Sequence, residues 1–455
     1  MNKKLWAGST ILLLGLVGYG LYYGWQALPI ATAYSAKIMC SCIFVSDRPE
    51  EDIRNEELSS FDFVDFHINH LEKSVEADVM RTAGRKAVFR PGLGCTLVGD
   101  QDSLSLVTIN KTPPEHANQR WPTGNFGAEA NSSERYESDK LDNALDRAFD
   151  EPDPDHLQGT RAVLVINQGK IVAERYADGF TKNTPLLGWS MTKSVTNALL
   201  GILVQNNLLS LDEDHLFQEW SDEDDPRSKI TLDNLLRMSS GLRWDERYSG
   251  LSDATRMLFA QSDAAQMAFE KTLEFSPGEY WEYSSGTSNI LSKLVKQKVG
   301  GTVNQYFNFP HDLLFNKIGM RSAIIEPDAS NTFVGSSFMY ATARDWARFA
   351  LLYLNDGEWE GERILPEGWV DYSRSLTTAS AGRYAAHFWL TAGELKGGAG
   401  LPEDAYHLAG YEGQKVVIIP SYDLVIVRLG FSNPESNWDF TGFVRDILGA
   451  FPNPK

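Results

Sequence analysis

The sequence predicts a mixed α+β fold, an antiparallel sheet flanked by helices with a mainly helical stretch inserted between its strands. Three observations predict it. Residues 161–166 and 171–176 are apolar, β-branched runs on either side of Asn167-Gln168-Gly169-Lys170, and Gly169 can supply a positive φ, so they form a hairpin. Residues 413–419 and 424–430 repeat that pattern around the turn Pro420–Asp423 near the other end of the chain. Between the two pairs the apolar spacing is helical, and from Met191 to Leu209 it is apolar nearly all round, as in a helix buried in a core.

The chain has 455 residues, enough for a large core and more than one structural unit. Its hydrophobic share of 42% and charged share of 23% are those of a globular protein. A formal net charge of −19 excludes a nucleic-acid partner, because phosphates would be repelled and no basic patch offsets the repulsion. The acidic run Asp212 to Asp225 reads as a solvated loop.

Lys3 and Lys4 precede an apolar run from Leu5 to Tyr23, flanked by Trp6, Tyr22, Tyr23 and Trp25. That is the length and the aromatic flanking of a membrane-spanning helix. It reads as an uncleaved anchor or as a signal peptide with Ala31-Thr32-Ala33 as its cleavage site. Either way the body is exported: anchored in the inner membrane facing the periplasm, or secreted. The three cysteines, Cys40, Cys42 and Cys95, suit export, with a disulfide from Cys40 or Cys42 to Cys95 and one thiol left over. A metal site lacks a fourth ligand. The expected units are 1–28 (anchor or signal), 29–135 (an N-terminal extension) and 136–455 (the main domain, with a helical insertion at about 210–385). Residues 45–120 hold short β-like runs such as Ala87–Arg90 and Cys95–Val98. Residues 111–135 are rich in Pro, Asn, Gly, Glu and Ser, as in a linker or strap.

Chemistry first becomes visible at Ser190-Met191-Thr192-Lys193. Positions three apart share one helix face, so the Ser190 hydroxyl and the Lys193 amine can meet. A hydroxyl is a weak nucleophile until a base takes its proton, and a desolvated lysine can be that base. Ser190 stands at the N-terminal edge of the buried helix, where the dipole and free N–H groups favour developing negative charge. A serine there could equally be a helix cap. Thr231 or Asp233 then caps a short amphipathic helix that ends at Ser240-Gly241. Pro277-Gly278 turns the chain into Glu282-Tyr283, and a helix runs onward from Ile290. Ala341 to Tyr353 is a capped amphipathic helix, Tyr406–Gly410 a strand, and Phe440 to Phe451 the last helix.

The order Ser190-Met-Thr-Lys193, Ile230-Thr-Leu-Asp-Asn-Leu-Leu, Pro277-Gly278 with Tyr283-Ser284-Ser285, and Leu314-Phe-Asn-Lys-Ile-Gly-Met320 resembles the serine β-lactamase and penicillin-binding superfamily. The nearest branch is the class C-like one, with esterases and 6-aminohexanoate-dimer hydrolases, over residues 140–455. The resemblance implies the β-lactamase/transpeptidase-like form of the fold. It gives Ser190 the role of acylated nucleophile, Lys193 that of the amine assisting it, and Tyr283 that of a proton shuttle. It implies an oxyanion hole from the N–H groups of Ser190 and Tyr411, just after Gly410. Ser285 stands where the family has Asn, and Leu408-Ala409-Gly410 where it has Lys-Thr-Gly, which weakens lactam recognition. His407 would line the edge of the site, and His387 is a weaker candidate. No Asp or Glu completes a Ser–His–Asp arrangement. The implied function is a serine hydrolase acting on a small-molecule amide or ester with no cofactor. The alternatives are a β-lactamase or D-Ala-D-Ala peptidase, and an inactive binding protein on the same scaffold.

Overall fold

A computed structural model of the chain describes residues 2–98, 106–109, 119–128, 136–153, 155–390, 401–433, 436 and 438–453. Of the strap expected at 111–135, all but 119–128 lies outside the described residues.

The first hairpin is β5 (Thr160–Asn167) and β6 (Lys170–Tyr176). The later strands are β12 (Trp389–Leu390), β13 (Tyr406–Gly410), β14 (Gln414–Ile419) and β15 (Leu424–Gly430). They join in one six-stranded antiparallel sheet of order β12-β13-β14-β15-β5-β6. The two ends of the main domain therefore meet side by side, with Val163 opposite Arg428 and Val165 opposite Ile426. Successive side chains of a strand alternate between faces. Leu164, Ile166, Val425 and Val427 point into the larger core, which also holds the helices Thr192–Gln205 and Ala343–Leu354. Val163, Val165, Leu424 and Ile426 point the other way, into a smaller core with Ser138–Ala148 and Phe440–Leu448. With both faces covered, β5 and β15 are buried along their whole length, so they read as apolar runs without alternation.

Between β6 and β12 the chain is mainly helical, with Leu232–Leu236, Asp253–Ala260, Ala264–Phe269, Ser285–Val299 and Val303–Pro310. Thr231 and Ser252 each close a capping box at a helix start. A small three-stranded sheet lies beside them, of order β7 (Leu186–Leu187), β9 (Met339–Ala341) and β8 (Ile324–Ile325), and β10 (Glu358–Trp359) pairs with β11 (Glu362–Arg363) in a short hairpin.

The N-terminal region departs from expectation. A single helix runs from Asn2 to Phe44, so the boundary expected at residue 28 falls in its middle. Its second half is a core element: Ala33, Ala36, Met39 and Cys40 are fully buried. That half packs on a four-stranded antiparallel sheet of β1 (Asp65–Asn69), β2 (Ser74–Val79), β3 (Thr82–Arg90) and β4 (Gly94–Val98). Cys40 is joined to Cys95 of β4 by a disulfide, and Cys42 is a buried free thiol. Lys37 forms a buried ion pair with Glu326 and also donates to the Cys95 carbonyl at 2.7 Å. Glu326 accepts from Ser41 at 2.8 Å and from the Cys95 N–H at 2.6 Å. The helix, the extension and the main domain are thus tied at one buried point. By length and composition Tyr22–Phe44 could cross a membrane, at a mean hydropathy of 1.4, but over half of its most apolar window is buried in the body.

Candidate active site

Ser190 lies in the single turn Trp189–Met191 that feeds directly into the helix Thr192–Gln205. The turn is tight. Trp189 has a left-handed φ of 47°, costly for a bulky residue, and its indole N–H is held by Glu412 at 2.8 Å. Gly188 must be glycine, because a Cβ there would sit 2.3 Å from the Trp346 ring. Gly410 is constrained in the same way: its Cβ would lie 2.1 Å from the Gly188 carbonyl oxygen. This close approach sets the end of β13, and with it the backbone of Tyr411, against the turn that carries Ser190.

Lys193 is one helical turn on and 1% exposed. Its Nζ lies 3.0 Å from Ser190 Oγ, 3.0 Å from Ser285 Oγ and 2.9 Å from the Ser336 carbonyl oxygen. Burial lowers its pKa to about 8, and the nearby Glu246 carboxylate opposes part of that fall. The partners decide how the amine is oriented. The Ser336 carbonyl can only accept. Ser285 gives its hydroxyl proton to Glu246 Oε1 at 2.5 Å, so its oxygen accepts from Lys193. As an ammonium, Lys193 donates to all three oxygens; once deprotonated it keeps two N–H bonds for Ser285 and the Ser336 carbonyl, and its lone pair is then left for the Ser190 hydroxyl.

Glu246 collects the donors around this pair. It accepts from the Ser285 N–H at 2.8 Å, the Tyr248 hydroxyl at 2.8 Å and the Trp244 indole N–H at 2.5 Å. Burial, reinforced by Glu246, pushes the Tyr248 phenol well above its usual pKa, so it remains a donor. The Tyr283 ring lies 4.8 Å from Lys193 Nζ and packs on Trp389 and Tyr384 at 5.2 and 5.8 Å.

Ser190, Lys193, Tyr283 and Ser285 therefore converge, with Gly410 and Tyr411 alongside. His407 does not join them. It pairs with Val417 across the sheet, on the face that meets the smaller core, and its ring rests 5.1 Å from Phe440. Strand parity is the reason: Tyr406 and Leu408 point to the larger core, so His407 points away from it. His387 is a buried structural group between Ser288 at 2.9 Å and the Leu236 carbonyl at 2.7 Å. Burial lowers its pKa to about 3, which keeps it neutral. Sequence reasoning missed Glu246, Tyr248 and Glu412. The first two lie in an irregular loop with no periodicity to mark them, and burial pushes Glu412 up to about 7.

The chain is similar to known proteins in both sequence and fold. A sequence model described as Beta-lactamase matches residues 145–439. The 6-aminohexanoate-dimer hydrolase of Paenarthrobacter ureafaciens is 24% identical over 298 residues, 59% of this chain and 72% of that protein. Among solved structures, a family VIII carboxylesterase superposes with a TM-score of 0.54 at 15% identity, covering 69% of this chain and 96% of its own. A penicillin-binding protein homologue from Caulobacter crescentus also gives 0.54 at 15% identity, covering 68% and 95%. The family match spans well over half of the sequence and contains the Ser190 turn, the Lys193 helix and the Gly410 strand, so the chain belongs to the beta-lactamase family.

Proposed function

We propose that the chain is a serine hydrolase that cleaves a small-molecule ester or amide through an acyl-enzyme on Ser190. The observation that carries the reading is the buried Lys193 Nζ, 3.0 Å from Ser190 Oγ, with its other two contacts made to the Ser285 oxygen and the Ser336 carbonyl. Neutral Lys193 takes the Ser190 proton as Oγ bonds to the substrate carbonyl carbon. The resulting oxyanion accepts from the backbone N–H groups of Ser190 and Tyr411, each such donor contributing about 3 kcal/mol to the transition state. The carbonyl–leaving-group bond then breaks. The proton held by Lys193 passes by way of the Tyr283 hydroxyl to the departing alcohol or amine. Water, giving its proton back along the same path, releases the acid and restores Ser190 and neutral Lys193.

Ester or amide cleavage is favoured over lactam cleavage by two departures from the family pattern. Leu408, fully buried, stands in place of the substrate-binding lysine, and Ser285, bonded to Lys193, stands in place of the asparagine. The body is held at a membrane by the uncleaved N-terminal helix. The second half of that helix, with Ala33, Ala36 and Met39 fully buried, is packed into the body, so an uncleaved helix would tie the body directly to its apolar first half.

The test is hydrolysis of p-nitrophenyl esters, linear amides and a chromogenic cephalosporin by the full-length protein and its Ser190→Ala variant. Ester or amide turnover abolished by the substitution supports the reading. Cephalosporin turnover alone would transfer it to a β-lactamase, and no turnover at all to an inactive scaffold.

A further inference from the structure

Resting on that catalytic reading, we infer that the substrate is an amphiphile whose uncharged hydrocarbon arm occupies a cavity between the N-terminal helix and the Ser190 turn. The cavity is about 560 Å³, within the size range of small-molecule sites. One wall is Ala27, Ile30, Ala31 and Tyr34, spaced i, i+3, i+4, i+7 along a single face of the N-terminal helix. The wall nearest the catalytic cluster is Trp189, Tyr248 and Tyr411. Trp189 directly precedes Ser190, the Tyr248 hydroxyl lies 3.1 Å from Ser285 Oγ, and the Tyr248 and Tyr411 rings stack at 5.4 Å. A chain bound here would run from the aromatic pair at Ser190 to the face of the helix.

Charge narrows the occupant. Among the described residues the lining has no Lys, Arg or His. It does have four acidic side chains: Glu56 and Glu57, whose carboxylates are engaged by Arg48 and Arg161, with Asp155 and with Glu412, which holds the Trp189 indole. A free carboxylate or phosphate would find no lining cation and four acidic side chains on the wall, whereas a neutral acyl arm meets no like-charge repulsion and can lie on the apolar face of Ala27, Ile30, Ala31, Phe259 and the aromatic pair. The helix also sets the route of entry. Ala31 is on the order of 10 Å along the axis from Trp25, at the end of the apolar run. The Tyr23 hydroxyl lies where a side chain on Gly250 would be, so the same helix also braces the loop that carries Tyr248. Substrate drawn from a lipid phase would meet this cavity first.

The test compares kcat/KM for p-nitrophenyl octanoate and acetate, using full-length protein in phosphatidylcholine nanodiscs. Each methylene buried is worth a factor of about four, so the wild type is expected to favour octanoate at least about tenfold. Ala31→Trp and, separately, Ala27→Trp fill the cavity from the helix side. Each is expected to remove most of that preference while leaving acetate within about twofold. A wild type with no preference overturns the inference. So does a preference that survives both substitutions, or a loss of both esters together in both variants. Hydrolysis that persists in Ser190→Ala overturns the catalytic reading instead, and it is scored apart from the chain-length ratio.

Discussion

In the proposed mechanism Ser190 loses its proton only to neutral Lys193, and burial moves that charge change to about pH 8. The acid limb of kcat/KM for a neutral ester should therefore fall about tenfold per pH unit below an apparent pKa near 8. A profile flat across neutrality contradicts this assignment. Glu246 supports the charged form of Lys193, so Glu246→Gln should shift the limb to lower pH. Because the substitution also disturbs the Ser285 contact, kcat should drop by roughly tenfold. A purely structural role for Glu246 would lower activity without moving the limb. The same burial has a stability consequence. Folded Lys193 gives up its proton at about 8 and an ordinary lysine at 10.5, so the unfolded chain binds more protons in between and stability rises with pH across that window. Below it the buried ammonium costs about 3 kcal/mol. Lys193→Met should abolish turnover and stabilise the fold by about 1–3 kcal/mol at neutral pH, the lower figure allowing for the Ser336 carbonyl left unpaired. Chemical denaturation of the two proteins checks it.

At the scale of elements, the Gly410–Gly188 contact positions the strand end against the turn that carries Ser190. Gly410→Ala must open that contact, and should reduce kcat about a hundredfold, the effect of misplacing one oxyanion donor, while ester KM changes little. Such elements differ in how far they could be read from the sequence. The Asn167–Lys170 hairpin and the helix after Ser190 were legible because turn chemistry and apolar spacing are local. The order of the six strands was not, since it depends on β5 meeting β15 across most of the chain. His407 shows a nearer limit. Its strand was identified, but its face depends on which neighbours cover each side. Glu246 and Tyr248 are brought to Lys193 by a loop whose path is fixed only by the hydrogen bonds it makes on arrival.

On the scale of the whole molecule, the N-terminal helix changes most between sequence and structure. Its apolar first half was legible as a membrane-length run, but nothing in residues 24–44 marked the helix as continuing into the core. The docked half carries Lys37 and Cys40, whose partners Glu326 and Cys95 lie far along the chain. Cys40→Ser should cost about 2–4 kcal/mol, as expected for opening a loop of this length, and thermal melts in oxidising buffer measure it. All of this architecture serves one claim, that Ser190 is acylated with Lys193 as its base. The most direct measurement is labelling of the full-length protein by a fluorophosphonate, with the adduct mapped by peptide mass spectrometry across pH. The account predicts a single adduct on Ser190, forming faster as pH rises through about 8 and absent in Lys193→Met. An adduct on another residue, or labelling of Ser190 that neither pH nor Lys193→Met affects, would contradict it.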